Sequence, residues 1–342
     1  MRFIIFGVGA IGGSLAVRLT GAGHEVIGIA RGRQLDAIHE GGLTLRTPMG
    51  DSHARFACTD DPSKIGLRPD DVILLCVKSQ NAQDALERLA SAGAGGQPVF
   101  CLQNGVANER MALRHFDHVH GVSVMLPSEY LKPGEIYAFG TPHTAILDVG
   151  RAPSGHDGVD DAVAECFKQA GLVAYVRDDV MAYKYGKLLL NLRNILVAAF
   201  EEESDQTPWL ERANEEAVAA YRAAGIVWHD VGWDDPRREV HMSMGTIPGV
   251  ARTGSSSLQS LLRGAGSIET DYLNGEIALL GRLHGVPVPV NAVLCRIGRK
   301  LVAGLLEPGK VTNADLQAEL ASAERARSGA IASPMQAIAH EL

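Results

Sequence analysis

The stretch "RFIIFGVGAIGGSLAVRLTGAGHEVIGIA", residues 2–30, restricts the fold more than any other part of the chain. Residues 2–6 read as a short apolar strand and "HEVIGIA" as a second. The span between them reads as a turn and a helix that ends at glycines able to cap it. Inside the turn, Gly7, Gly9 and Gly12 make a G-x-G-x-x-G run. Such a run says little alone. Between a strand and a helix, inside a βαβ unit of about 30 residues, it marks a dinucleotide site. The first glycine allows a tight turn, the second lets backbone approach the pyrophosphate, and the third lets helix and strand pack closely. The backbone N–H groups around Ala10 and Ile11 open the helix and present donors at its positive end. A glycine-rich turn without a ligand is the plainer alternative.

With 342 residues, the chain is too long for one ordinary core and suits two domains. Further strands are predicted in "DVILLCVK", "QPVFCLQNG" and "HVHGVSVML", with the amphipathic stretch "SQNAQDALERLASAG" between the first two. Strands alternating with helices predict a parallel, doubly wound sheet. "GEIYAFGT" and "HTAILDVG" read as a hairpin closing this half. From about residue 180 the strand signal nearly vanishes. Helical stretches are predicted at 182–203, 208–228, 255–264, 268–284 and 289–305. The expected class is therefore α/β: a Rossmann-like parallel-sheet domain over 1–178, then an all-helical domain over 179–342. Residues 229–250 read as an irregular, mobile segment over the cleft, and the tail 318–342 as a helix or a partly ordered end.

The net charge of −8 argues against nucleic-acid or anionic-membrane partners, which need a basic face. A strand at the very start, interrupted early by glycines, predicts a cytoplasmic protein with neither leader nor membrane span. The five cysteines are scattered and form no C-x-x-C, so neither a disulfide framework nor a zinc site is indicated. No metal is expected. His115, His118 and His120 in "HFDHVH" read as exposed polar surface rather than as ligands.

A chain that uses NAD usually carries an acid at the end of its second strand, for the ribose 2′-hydroxyl. Here that strand runs into "IARGR", with Arg31 and Arg33. A guanidinium suits a 2′-phosphate, and Lys78, at the end of its own strand, adds charge to the same rim. The reading is NADP(H). A second feature is "GKLLLNLRN", 186–194. On a helix Asn191 lies about 40°, and Asn194 about 20°, from Lys187. A cation and two amides thus share one stripe of an otherwise apolar helix.

"GVGAIGG", "VK" at 77–78, "LQNG" at 102–105, "KLLLN" at 187–191 and "SSSLQ…IETDYLNG" at 255–275 together resemble the ketopantoate reductase family. The resemblance implies an NADPH-binding Rossmann domain, a helical domain and an active site in the cleft between them. It also implies reduction of 2-dehydropantoate to pantoate, in pantothenate biosynthesis. By resemblance Lys187 is the catalytic lysine and Glu269 the active-site glutamate. Asn104 stands beside the nicotinamide, and Asn191 and Ser257 contact substrate. Gly7, Gly9, Gly12, Arg31 and Lys78 match cofactor positions. Chemistry agrees: hydride addition to a ketone leaves an alkoxide, and a lysine ammonium of ordinary pKa supplies both a proton and a positive neighbour. Each residue also has a plainer reading. Lys187 could reach to solvent, Glu269 could merely favour a helix start, and Asn104-Gly105 could be only a turn. Their joint occurrence at these spacings favours the site.

One departure bears on substrate. The family places a second asparagine four residues after Asn191, where this chain has Ile195; Asn194 is offset by one. A β-branched residue in place of the amide is expected to make one wall of the site apolar. That opens a second function: a paralogous NADPH-dependent reductase of another 2-oxo acid or an imine. A third is a non-catalytic NADPH-binding sensor, which the retained Lys187 and Glu269 argue against. The expected partner is a small-molecule 2-oxo acid; a homodimer is left open.

Overall fold

The computed structural model describes residues 1–201, 203–232, 235–323 and 325; the expectation for the tail beyond these lies outside the described residues. Contacts divide the chain into two compact units. The first comprises Met1–Asn191 and Val227–Thr253, and the second Leu192–Ile226 and the residues from Gly254 onward.

The first unit is built on an eight-stranded sheet. Its strands are β1 (Arg2–Phe6), β2 (Glu25–Ile29), β3 (Ala57–Thr59), β4 (Asp71–Leu75), β5 (Val99–Cys101), β6 (Val119–Met125), β7 (Ile146–Arg151) and β8 (Val173–Val176). Their order is β8-β7-β6-β5-β4-β1-β2-β3. Neighbours are parallel except β6 and β7, which run antiparallel. Phe6 lies opposite both Ile29 of β2 and Leu75 of β4. The loop after β1 therefore opens at the point where the strand order reverses, which is where open α/β sheets bind ligands.

Along the chain, α1 (Ala10–Gly21), α2 (Gly32–Gly41), α3 (Ala82–Ser91), α4 (Asn108–Ala112), α5 (Gly158–Gln169) and α6 (Val180–Asn191) belong to the first unit. Then α7 (Arg193–Ala199) and α8 (Thr207–Ala223) belong to the second, α9 (Pro236–His241) to the first, and α10 (Ser256–Leu262), α11 (Asn274–His284) and α12 (Pro289–Val302) to the second. Every residue of β1 is buried because both sheet faces are covered. Phe3 and Ile5 pack with Leu15 and Leu19 of α1 and Phe167 of α5. Ile4 and Phe6 alternate to the other face, with Leu86 and Leu89 of α3.

Three readings are corrected. "GEIYAFGT" and "HTAILDVG" do not form a hairpin. Glu135–Ala138 joins a separate four-stranded sheet with Leu43–Thr47, Gly50–Ala54 and Ser128–Lys132, while β7 enters the main sheet beside β6. The cause is burial: Ile146–Gly150 is enclosed on both faces, which only the main sheet provides. Residues 229–250 contain α9 and a strand, Met242–Met244, that pairs with Gly140–Pro142. Finally, α6 packs on β6 and β7, so the first unit runs past residue 178 to Asn191.

The second unit is helical, as its sequence pattern predicts. α11 packs on α8 and α12, and α7 on α10 and α12. A buried polar knot ties them. Glu216 of α8 accepts from the backbone N–H groups of Val290 (2.8 Å) and Asn291 (3.0 Å) at the start of α12. The Asn291 amide donates to Glu216 and to the Ala213 carbonyl, and Asn274 donates to Asn291. Burial pushes the Glu216 carboxyl above its ordinary range, against these donors.

Candidate active site

The glycine loop has the shape a dinucleotide needs. Gly7 has φ +105, a conformation that side chains rarely adopt, and a Cβ there would lie 2.7 Å from the Val77 nitrogen. A Cβ on Gly12 would overlap the Gly7 carbonyl oxygen and stand 2.9 Å from Ile5. Gly9 is the opposite case. It caps α1, and a Cβ there would meet nothing within 4 Å, so open space lies in front of the helix N-terminus. The first turn of α1, from Ala10 through Ile11 to Gly12, carries no acid and no side-chain cap. Its N–H donors are available to a pyrophosphate.

Arg31 is the N-cap residue of α2 and is exposed at the carboxyl end of β2; Arg33, two residues on, is exposed in the first turn of the helix. Gln34, which the sequence reading passed over, fixes this corner. Its amide donates to the Val8 carbonyl in the glycine loop (2.9 Å) and its carbonyl accepts from Gly134 N (2.9 Å). Lys78 is half-buried beyond β4, and Asn104 is half-buried beyond β5, before Gly105 at φ +79. Beside Asn104, both polar side-chain atoms of Gln103 are buried without a hydrogen-bond partner among the described residues. Unmet polar atoms in such a place point to a missing ligand.

Lys187 lies in the last turns of α6, half-buried, and its ammonium donates to the Asn191 side-chain oxygen at 3.3 Å. The stripe read from sequence is thus real for these two residues. The expectation of an ordinary lysine pKa is corrected: burial, then the Arg238 guanidinium, lowers it to about 8. A second lysine, Lys184, sits one turn earlier and is fully committed. It pairs with Glu109 at 2.5 Å and donates to the carbonyls of Cys101 (3.2 Å) and Gln103 (3.1 Å). Lys184 therefore braces the carboxyl end of β5, and Lys187 keeps the adaptable ammonium. The spacing of two lysines on one helix face was the available signal for that brace.

In the second unit, the helical run breaks at Leu192, and Asn194 stands on α7. Its side-chain amide donates to the Ser256 hydroxyl (3.2 Å), and its backbone carbonyl accepts from the Ser255 hydroxyl (2.7 Å). Ser257, next along α10, is 1% exposed, and its hydroxyl has no partner among the described residues. Glu269 is buried at the head of a short 3₁₀ turn, Glu269–Tyr272. Ile195 is 0% exposed. The expectation that it lines a substrate wall is corrected: Ile195 is enclosed in the core while Asn194 stays half-exposed. The histidine reading is corrected too. His118 is exposed, but His120 is buried, stacked on Phe100 at 4.3 Å and bonded to Asp160 at 2.7 Å. Asp157 and Asp160 lie close enough to His120 to share an ion, yet they already form the capping box of α5.

Residues 3–151 match the family described as ketopantoate reductase PanE/ApbA, and residues 180–301 match its C-terminal part. The chain belongs to the ketopantoate reductase family. It is a 2-dehydropantoate 2-reductase-like oxidoreductase. The 2-dehydropantoate 2-reductase of Archaeoglobus fulgidus is 28% identical, over 89% of this chain and 99% of its own length. That of Mesorhizobium japonicum is 29% identical, over 88% and 98%. A PanE/ApbA family ketopantoate reductase from Ralstonia eutropha JMP134 superposes with TM-score 0.73 at 30% identity, over 89% of this chain and 99% of that one. A D-mandelate dehydrogenase solved with NADH and anilino(oxo)acetate shares the fold, with TM-score 0.72 at 21% identity over 89% and 99%. Among the described residues no helix is long and apolar enough to cross a membrane.

Proposed function

We propose that this protein reduces 2-dehydropantoate to pantoate with NADPH and that Lys187 is the proton donor. The observation that carries the reading is the state of Lys187. Its ammonium is aimed by Asn191 and lowered to about 8, close to a working pH, where a general acid gives up its proton most usefully. A nicotinamide held at the glycine loop would supply a hydride for the keto carbon. Negative charge then collects on the carbonyl oxygen, where the Lys187 ammonium stabilises it and passes one proton, leaving a neutral amine. The Asn191 oxygen holds Nζ in place meanwhile.

Glu269 is proposed as the acid that works with Lys187, and Ser257, with its unmet hydroxyl, as a donor to the substrate. Asn194, half-exposed beside Ser256, is proposed as the amide that serves the distal hydroxyl of 2-dehydropantoate, in place of the family's displaced asparagine. This favours 2-dehydropantoate over a 2-oxo acid lacking that hydroxyl. Arg31, where an NAD site carries an acid, supports NADPH as the reductant.

The test is NADPH oxidation with both kinds of acid. Removing the distal hydroxyl should cost about 10- to 100-fold in kcat/KM, and Lys187→Ala about 10²–10⁴ in kcat. Failure of the enzyme to oxidise NADPH with any 2-oxo acid would remove the reading.

A further inference from the structure

We propose that Lys184 is a positioning residue: paired with Glu109, it fixes the loops after β4 and β5, which carry Lys78 and Asn104, against the helix that carries Lys187. The inference deepens the reductase reading and rests on it for what those three residues do.

The ammonium of Lys184 faces three oxygens, one for each of its N–H donors. They are the Glu109 carboxylate at 2.5 Å, the Cys101 carbonyl at 3.2 Å and the Gln103 carbonyl at 3.1 Å. The two carbonyls flank the point where the chain leaves the main sheet. Between them, Leu102 N still donates to the Leu75 carbonyl of β4 at 3.0 Å; Asn104 and Gly105 then follow as a loop. The fold makes room for this reach. Gly121 of β6 lies opposite Cys101, and a Cβ there would stand 3.2 Å from Val180 and 3.5 Å from Cδ of Lys184. The lysine stem thus crosses β6 where the strand has no side chain.

Glu109 opens a second arm. It stands in the first turn of α4, beside Asn108. The Asn108 amide donates to the Ser79 hydroxyl at 3.0 Å, and that hydroxyl donates to the Asn104 carbonyl at 3.4 Å. Ser79 directly follows Lys78. The two arms meet on one loop: Lys184 holds the carbonyl of residue 103, and Ser79 holds the next. Lys184, Glu109, Asn108 and Ser79 are all buried, so these contacts are shielded from water.

Stability is a poor reason for such a pair. Withdrawing an ammonium and a carboxylate from water offsets most of what their attraction returns, and well-packed apolar side chains in their place are often as stable or more so. Apolar side chains, however, give no fixed direction to two loop carbonyls. Lys187 lies about one turn beyond Lys184 on α6, so the brace also refers the loops to the proposed proton donor. Hydride transfer needs its reacting groups held closely, and a misplacement of about 1 Å slows such a step about 100-fold.

The experiment compares the full chain with Lys184→Met/Glu109→Leu. It reads the urea midpoint, 2-dehydropantoate turnover, and the isotope effect with NADPH deuterated at the transferred hydrogen. Lys184→Met alone leaves a buried carboxylate unpaired and should lower the midpoint, which the double variant should regain. The double variant's kcat should nevertheless stay about 10- to 100-fold below the parent's, with a larger isotope effect as hydride transfer becomes limiting. A pair with a structural role alone would restore both along with the midpoint. Ser79→Ala removes the far arm with a single oxygen atom and should shift kcat and the isotope effect in the same directions; it serves if the double variant does not fold. Parental kcat and isotope effect in the double variant, or in Ser79→Ala where the double does not fold, overturns the proposal. If the parent reduces no 2-oxo acid, the reductase reading falls, and the brace is judged by NADPH affinity in whichever variant folds. About a tenfold loss then sustains it, and no loss, or no NADPH binding by the parent, overturns it.

Discussion

Lys187 shows how one side chain ties burial to chemistry. Its pKa is lowered from 10.5 to about 8, so the ammonium is full below that value and lost above it. On the proposed mechanism reduction consumes the ammonium. Its kcat/KM should therefore be level below about 8 and fall about tenfold per pH unit above, where an unshifted lysine would hold activity to nearly 10.5. Oxidation of the alcohol needs the neutral amine and should rise through the same range. A reduction profile still level well above 8 would show that Lys187 is not the acid. Arg31 belongs to the same scale. Arg31→Ala should weaken NADPH binding by about 1.5–3 kcal/mol and leave NADH almost unchanged, as titration with each cofactor would show. An equal loss with both would assign Arg31 to something other than the 2′-phosphate.

α6 carries Lys187 and Asn191, the residues of the first unit proposed for the chemistry. Its apolar residues face β6 and β7, while Lys184, Lys187 and Asn191 fall on successive turns. Gly186 is the least replaceable of them. Ala is the better helix former by about 1 kcal/mol, yet a methyl at this position strikes the backbone of His229, which cannot rotate away. Gly186→Ala should therefore destabilise the protein by about 1–3 kcal/mol, read as a lower urea midpoint. A variant as stable as the parent would mean that the His229 backbone shifts freely.

At the scale of the molecule, the first unit is discontinuous. Val231 and Met242 from the returning segment complete a cluster with Met125 and Ile146, and Arg237 neutralises the buried Asp148. Thr253 N donates to both oxygens of Glu129 (3.0 and 3.1 Å) and closes the excursion. A fragment of residues 1–191 should accordingly bind a hydrophobic dye and lose NADPH affinity. Residues 1–191 joined by a short linker to 227–253 should bind NADPH as the whole chain does. Full affinity in the shorter fragment would make the returning segment an ornament of the fold. The whole chain should gain about 2.7 kcal/mol of stability at one hundred times the NADPH dissociation constant, visible as a higher melting temperature.

By itself the sequence determined the βαβ start, the glycine loop, the helical second half and the Lys187–Asn191 pair. Each of these is a short-range pattern: strand period, turn chemistry and helical spacing are set by residues within a few turns of one another. Tertiary structure alone decided the rest. "GEIYAFGT" and "HTAILDVG" are equally good strands locally, and only the place left in each sheet separates them. Asn194 stays half-exposed and Ile195 is fully buried, which depends on what each packs against and not on their spacing alone. His120 is buried because Phe100 and Asp160 close over it, and Lys187 is a weak base first because it is buried and then because Arg238 acts on it from a segment that reads as a loop. These outcomes depend on charges and contacts between residues far apart in the chain, and no local periodicity carries that information.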